Sequence, residues 1–337
     1  MSRVKSEVKA RAGAVTDQRT ETAPRSDAML ACRDQIDAYR VAEFVTLARD
    51  GSPVGWPLNP ELEGDRLVFS TGYVYPGKAR NAERDPRVAV LYSDPTASGR
   101  TDRDPLVLVQ GRCEVLDKDL QANTERYVAQ HIRTASPLAP MLKVPILRQL
   151  MVGYMTRIWM EVVPERVLSW HRTGVPPASL VASRPAGYTP GPGLRLPDQV
   201  TRWVSRYPRP PVLSFVDATG WPAATRVAAT LGGDRILLDR TVGSVEGAPV
   251  ALVFHQLTGN YRSNDAFLIR GYLDATGALV PERVVGYGGT ADDRGVGSTK
   301  LLRLLFVDLR RDLKRKLEEE GRPVPRVRPP AATPRDR

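Results

Sequence analysis

Cysteine is scarce in this 337-residue sequence, which holds only Cys32 and Cys113. Two thiols make neither a disulfide framework nor a metal cluster, and such usage fits a reducing compartment, the cytoplasm by default. No apolar run is long enough to span a bilayer, and the opening "MSRVKSEVKARAGAVTDQRTETAPRSD" lacks the apolar core of a secretory signal. Histidine is rare as well. His131, His171 and His255 stand far apart without ligand spacing, so each reads as structural or exposed, and no metal site is expected. No acid–base pair stands out as a catalytic dyad. Basic motifs interleaved with aromatics are missing, which argues against nucleic acid despite a formal net charge of +11. Much of that charge sits in two tails. Residues 1–27 carry six Lys/Arg against four Asp/Glu, and residues 320–337 carry five Arg against two acids. The remaining excess suits steering of an anionic ligand such as a phosphorylated cofactor.

What is present is globular: 42% hydrophobic and 26% charged residues over a length that accommodates two domains. Residues 1–27 read as a disordered polar arm and 321–337 as a disordered Pro/Arg tail. A helix is expected from Asp27 to about Arg40, then short strands at Phe44–Ala48, Arg66–Thr71 and Val88–Tyr92, and a longer one through "PLVLVQGRCEVL". "DKDLQANTERYVAQHIRTA" suits a helix, and "MTRIWMEVVPERVLSW" reads as a last strand. Many short strands with peripheral helices indicate a mainly β fold, a barrel with helical additions, over residues 28–172. Residues 173–205 are dense in Pro and Gly and read as a linker. Residues 206–320 form a second domain ending in an amphipathic helix.

The second domain repeats the first. "RDGSPVGWPLNPELEGDRLVFS" can be laid on "ATGWPAATRVAATLGGDRILLD", which puts Gly51 on Gly220 and Asp65 on Asp234. "RVAVLY" then falls on "PVALVF", and Gly111 finds Gly271. Collinear matches of this kind point to a tandem duplication. Between the matched blocks the second copy is shorter by seven residues, and it lacks the stretch holding Lys78, Arg80, Asn81 and Arg84. The basic connection is therefore dispensable for the barrel. Pro76 can open a short helix there, and Asp85-Pro86 can end it. Lys78 and Asn81 would share a face, with Ser70 and Thr71 on the preceding strand aimed at the helix start. Hydroxyls, free backbone N–H groups and a lysine make a phosphate or carboxylate site; a solvated basic face with capping hydroxyls is the alternative.

The stretch "VTLARDGSPVGWPLNPELEGDRLVFSTGYVYPGKARNAERDPRVAVLYSD…LVLVQGRCEVL" resembles the pyridoxamine 5′-phosphate oxidase-like superfamily of flavin- and deazaflavin-binding split β-barrels. The likeness covers about residues 30–172 and is weaker over 210–285, read as a degenerate copy. It implies an FMN-binding split β-barrel and hydride transfer by an oxidoreductase, with the cofactor supplying the chemistry. It also implies that Ser70, Thr71, Lys78 and Asn81 hold the cofactor phosphate. Where many flavin-binding members have an Arg directly before the Lys, this chain has Gly77. "GKARNAERDPRVAVLY" looks closer to the branch using the deazaflavin coenzyme F420. Haem is the minor cofactor option, and a non-enzymatic cofactor- or haem-binding protein is the rival function. Catalytic residues and the small-molecule substrate are not identified. Family members pair two barrels around the cofactor, so a duplicated chain could form that pair internally or as a homodimer.

Two features near the C-terminus complete the reading. "GVGSTK" from Gly295 lacks the order of a phosphate loop and is set aside. In "STKLLRLLFVDLRRDLKRKLEEE", Leu302, Leu305, Leu309, Leu313 and Leu317 line one face, opposite Lys300, Arg303, Arg310, Lys314 and Arg315. This helix is expected to dock on its own barrel rather than on a membrane surface.

Overall fold

The computed structural model of the protein describes residues 25–96, 98–134, 138–239, 242–243, 245–257, 264–287 and 303–328. The fold is mainly β with peripheral helices. In the first half, α1 (Arg25–Ala38) precedes β1 (Ala42–Leu47), β2 (Pro53–Leu58), β3 (Glu61–Glu63) and β4 (Arg66–Gly72). Then follow α2 (Gly77–Arg84), β5 (Arg87–Tyr92), β6 (Leu106–Leu116) and α3 (Leu120–Arg133). Three short helices, α4 (Ala139–Lys143), α5 (Pro145–Leu150) and α6 (Val152–Met155), lead into β7 (Arg157–Trp170). The second half has α7 (Asp198–Val204), β8 (Val212–Val216), β9 (Pro222–Arg226), β10 (Ala229–Gly232) and β11 (Arg235–Leu238). It continues through β12 (Pro249–Leu257), β13 (Asn264–Leu273) and β14 (Leu279–Tyr287). A π-helical turn at Leu304–Asp308 then runs into α8 (Leu309–Glu319). The "GVGSTK" stretch lies outside the described residues, as do residues 1–24 of the expected arm.

Two antiparallel seven-stranded sheets result. The first runs β2-β1-β5-β6-β7-β4-β3; the second, read from its far edge, runs β9-β8-β12-β13-β14-β11-β10. Strand by strand this is the same order. The register breaks at the same place too, between Gln110 and Gly111 in β6 and between Arg270 and Gly271 in β13. Both bulges need glycine, since a Cβ would be driven into the Val163 carbonyl at Gly111 and the Val280 carbonyl at Gly271. Opposite each bulge stands an identical pentapeptide, Val163-Pro164-Glu165-Arg166-Val167 in β7 and Val280-Pro281-Glu282-Arg283-Val284 in β14. α2 has no helical counterpart among the described residues between β11 and β12.

Alternation along the central strands divides their side chains between two cores. Phe44, Val88, Val90, Val107 and Val109 pack in the first core with α1, α3 and the inner face of β4. Their neighbours Val45, Ala89, Leu91, Leu106 and Leu108 join the second core, with Leu213, Phe215, Leu252, Phe267 and Leu268. The halves thus lie face to face, and the contact is reciprocal. Gln110 Nε2 donates to Asp217 Oδ2 and the Pro222 carbonyl, each at 2.9 Å, in the β8–β9 turn region of the other half. At the equivalent position Arg270 donates to Ser52 Oγ and lies 3.8 Å from Asp50 in the β1–β2 turn.

Three segments depart from the sequence expectations. Residues 173–205 do not hang free as a linker: Leu180, Ala182 and Leu196 are buried in the second core, and Ala182 bridges to Asp217. Although α8 follows the second half in sequence, Leu313 and Leu317 are fully buried in the first core. The backbone of α8 at Leu309–Arg310 passes so close to Gly153 that a Cβ there could not fit. The expected tail from 321 is held as far as residue 328. Val327 is buried in the same core, its carbonyl accepts from Arg148 and Gln149, and Gln121 bonds the Arg326 backbone on both sides. Two buried residues, Pro325 and Val327, and the partnered backbone groups of Arg326 and Val327 overcome the Pro/Arg composition there.

Between the halves lies a polar knot. Glu43 and His255 are buried, with His255 Nε2 2.7 Å from Glu43 Oε1. Arg226, also buried, donates from Nη2 to the same oxygen at 3.0 Å and from Nε to Ser93 Oγ at 2.8 Å. Burial pulls the Arg226 guanidinium below its usual range, while Glu43 and Asp94 oppose that shift. Removing one member of a buried pair strands the other charge, at a cost of about 3–5 kcal/mol. Arg226→Met should lose about that much stability in urea unfolding, and Glu43→Leu combined with Arg226→Met should lose less than the single change. A single variant as stable as wild type would mean that the knot does not hold the halves.

Candidate functional site

The sequence-predicted residues surround the start of α2. Ser70 and Thr71 end β4, where alternation sends adjacent side chains to opposite faces. Ser70 is half-buried on the face shared with Gly72. Thr71 is buried, and its Oγ1 donates to the Tyr75 carbonyl at 3.2 Å, so this hydroxyl closes the loop into α2. Pro76 is the helix N-cap and gives no side-chain cap, and no acidic residue lies in the first turn. The positive end of the helix dipole therefore faces neither a side-chain cap nor an acid of its own first turn. Ala79 and Ala82 bury the inner face of α2. Asn81 ties the helix to β1, donating from Nδ2 to Thr46 Oγ1 at 3.1 Å and accepting from Arg84 Nη2 at 3.0 Å. Its amide is spent on positioning.

Lys78 is half-buried, with Nζ 5.3 Å from the Trp56 ring centroid on β2. Its ammonium is pushed down to about 8, first by burial and then by the charge of Arg157. Arg157 opens β7 directly opposite Gly72. Its guanidinium lies over the rings of Tyr127 and Tyr154, at 4.2 and 4.5 Å from their centroids, and donates to Tyr127 Oη at 2.7 Å. Glycine at 72 leaves room for it, because a Cβ there would stand 3.3 Å from Nη1. His131 meets Tyr127 edge-on at 4.5 Å, and burial followed by the Arg157 charge lowers its imidazole to about 4.

Two cations thus act on one another beside an uncapped helix start, among the rings of Trp56, Tyr127 and Tyr154. Such an arrangement can hold an anionic group and offer flat faces to a ring system. Of the four predicted residues, Lys78 belongs to this cluster and Ser70 lies on the face that Arg157 borders. Thr71 and Asn81 are engaged in local structure. Arg157, Tyr127, Tyr154 and Trp56 escaped the sequence reading; the signal available was a charged residue directly before the apolar run Ile158-Trp159-Met160. His171 is exposed, and no group of three His, Cys, Asp or Glu among the described residues could hold a metal ion.

The C-terminal segment pins the loop between β4 and α2. Tyr73 donates to Glu320, accepts from Arg322 Nη1 at 3.2 Å, and has Lys316 Nζ 4.5 Å from its ring centroid. Lys316 also donates to the Tyr73 carbonyl at 3.0 Å. A cleft of about 410 Å³ opens between Val74 and Tyr75 of the loop and Arg315, Lys316 and Glu319 of α8.

No family model matches the chain, and no curated protein does. Parts of it are similar to solved structures. An F420 reductase aligns at 19% identity and a TM-score of 0.30, over 40% of this chain and 94% of that one. A FAD-binding protein from Mesorhizobium loti aligns at 23% identity and 0.27, over 42% and 89%. A Clostridium acetobutylicum protein related to a general stress protein, of the pyridoxinephosphate oxidase family, aligns at 10% identity and 0.32, over 45% and 93%. These neighbours are of the kinds that the sequence resemblance named. No helix among the described residues is long and apolar enough to cross a membrane.

The lowered lysine gives a stability test. The unfolded chain keeps the Lys78 proton up to about 10.5, whereas the folded chain keeps it only to about 8. Between those values the unfolded state binds more protons, so unfolding free energy rises with pH. Relative to Lys78→Met, the wild type should gain stability from pH 8 to 10.5 and run parallel to the variant below 8. Parallel curves across the whole range would show an ordinary solvated lysine.

Proposed function

We propose that the first half binds a phosphorylated flavin-type cofactor, FMN or the deazaflavin coenzyme F420, and that the chain is an oxidoreductase acting on a small organic substrate. The observation that carries this reading is the convergence of Lys78, Arg157 and the uncapped start of α2 on one place. When bound, the cofactor would supply hydride transfer, which needs no acid–base dyad from the protein. Lys78 and the α2 N–H groups would hold its phosphate, and Arg157 would balance a second negative group. Trp56, Tyr127 and Tyr154 would offer faces to the ring and exclude water. Ser70 would add a hydroxyl donor, while Thr71 and Asn81 would fix the loop and helix that carry the site. The two free cysteines, with the Cys113 thiol pushed up to about 12 by burial, fit a cytoplasmic setting.

Lys78→Ala should weaken binding of FMN or F420 about ten- to hundredfold in a fluorescence titration, the range for a lost charge-assisted hydrogen bond. Arg303→Ala, at an exposed side chain preceding α8, is the control for net charge. Equal weakening by both, or none by Lys78→Ala, would place the cofactor elsewhere. Tight binding without turnover across a broad panel of acceptors would favour a non-enzymatic carrier, and a Soret band on titration with haem would favour the haem reading.

We further infer that the two halves pair inside one chain as separate barrels would, and that the repeat arose by tandem duplication. The chain should then be monomeric at micromolar concentration by light scattering. A stable dimer joined through first halves would overturn the internal pairing.

A further inference from the structure

The shared pentapeptide allows the two closing strands to be compared residue by residue. Glu282 on β14 and Glu165 on β7 occupy equivalent positions beside the two bulges, each next to the turn contributed by the other half. Around Glu282 that angle is filled. Glu282 Oε2 accepts from the Tyr188 hydroxyl at 2.6 Å, and Oε1 accepts from the Gly191 N–H. Pro185 packs against Gly51 in the β1–β2 turn, and Tyr188 is buried. The segment from Pro185 to Gly191 therefore inserts a phenol and a backbone donor, three residues apart, onto one carboxylate. Gly191 is the residue that permits the approach, since a Cβ there would stand 2.9 Å from Glu282 Oε1.

Around Glu165 the equivalent angle is open. The segment 173–205 touches this side at Ser179, whose Oγ accepts from Arg166 Nη2 at 2.5 Å, and at Ser183, whose Oγ donates to the Asp217 carbonyl at 2.7 Å, and it sends no group onto Glu165. What remains is a cleft of about 240 Å³ lined by Gln110, Glu165, Arg166, Thr219 and Trp221. Glu165 Oε1 accepts from Arg112 Nε at 3.0 Å, and Oε2 accepts no hydrogen bond among the described residues. Trp221 stands where the other half has Ser52, so an indole walls this cleft, with the Arg112 guanidinium 5.7 Å from its ring centroid.

We propose that the Glu165 cleft is a binding site for a tyrosyl phenol carrying an adjacent N–H donor, the chemistry that the strap presents to Glu282. The phenol donates to the open carboxylate oxygen, and the ring lies along Trp221. Either a tyrosine-bearing protein segment or a small phenolic amide supplies these groups. The site is independent of the cofactor reading.

Calorimetric titration of the full chain tests it with three probes: the peptide SRPAGYTPGPG (the sequence of residues 183–193), the same peptide with Phe for Tyr, and N-acetyltyrosinamide. The Tyr peptide should bind at one site. Loss of a hydrogen bond to a charged acceptor predicts about tenfold weaker binding for the Phe peptide, and the same for Glu165→Gln. Glu165 lies at the cleft rim, and circular dichroism verifies that this variant folds. Tyrosinamide binding as tightly as the peptide assigns the site to small phenolics, whereas binding of the peptide alone assigns it to protein segments. Three results would overturn the proposal: no binding of either tyrosyl probe at millimolar concentration, binding unchanged in Glu165→Gln, or binding lost only in Glu282→Gln, which would mark exchange with the strap.

Discussion

The whole molecule depends on the sharing of three strands between two cores. β1, β5 and the Leu106–Gly111 part of β6 have no wet face: alternate residues serve the interior of their own half, and the rest serve the seam. An antiparallel sheet usually keeps one face in water. Here that freedom is given up, and neither sheet's central face is complete without the other. Because the seam is apolar over most of its extent, its few polar groups must find partners across it. Glu43, Ser93, Arg226 and His255 do so together.

The same constraint lets the halves differ. With pairing fixed by covalent connection, only one of the two equivalent positions needs α2, and only one bulge needs the strap. The first half keeps the helix with Lys78 and gains α8 over the loop that leads to it. The second has the same strand order, but its β11 runs four residues where β4 runs seven. Asymmetry gathers on the outside of the pair, while the seam stays reciprocal, with Gln110 and Arg270 reaching into opposite turns.

Much of the fold was legible in the sequence, because it is written in local signals. Asp-Gly turns and strand-length apolar runs mark strands of the first half, the collinear glycines match them to the second, and Pro76 and Asp85 bound α2 closely. The uninterrupted run "RVAVLY" also carried an unread message, since a strand without polar alternation is covered on both faces. The repeated pentapeptide was equally visible. The site was read only in part. Lys78 could be found because the matching interval of the second half is shorter in sequence and lacks the stretch that holds it. Arg157 is some eighty residues away in sequence and is carried to the α2 side only through the pairing of β7 with β4, which no local pattern encodes. For the same reason composition misjudged residues 321–328: eight residues rich in Pro and Arg look unfolded until the surface that receives Val327 exists.

That receiving surface orders events during synthesis. The first core contains Leu313, Leu317 and Val327, so it cannot be finished until residue 327 has left the ribosome. The first half, made earliest, must wait with an open flank beside α6 while the entire second half is translated. Contacts of such long sequence separation make for slow closure. The chain is thus tied off like a parcel whose last length of string passes back over the first fold.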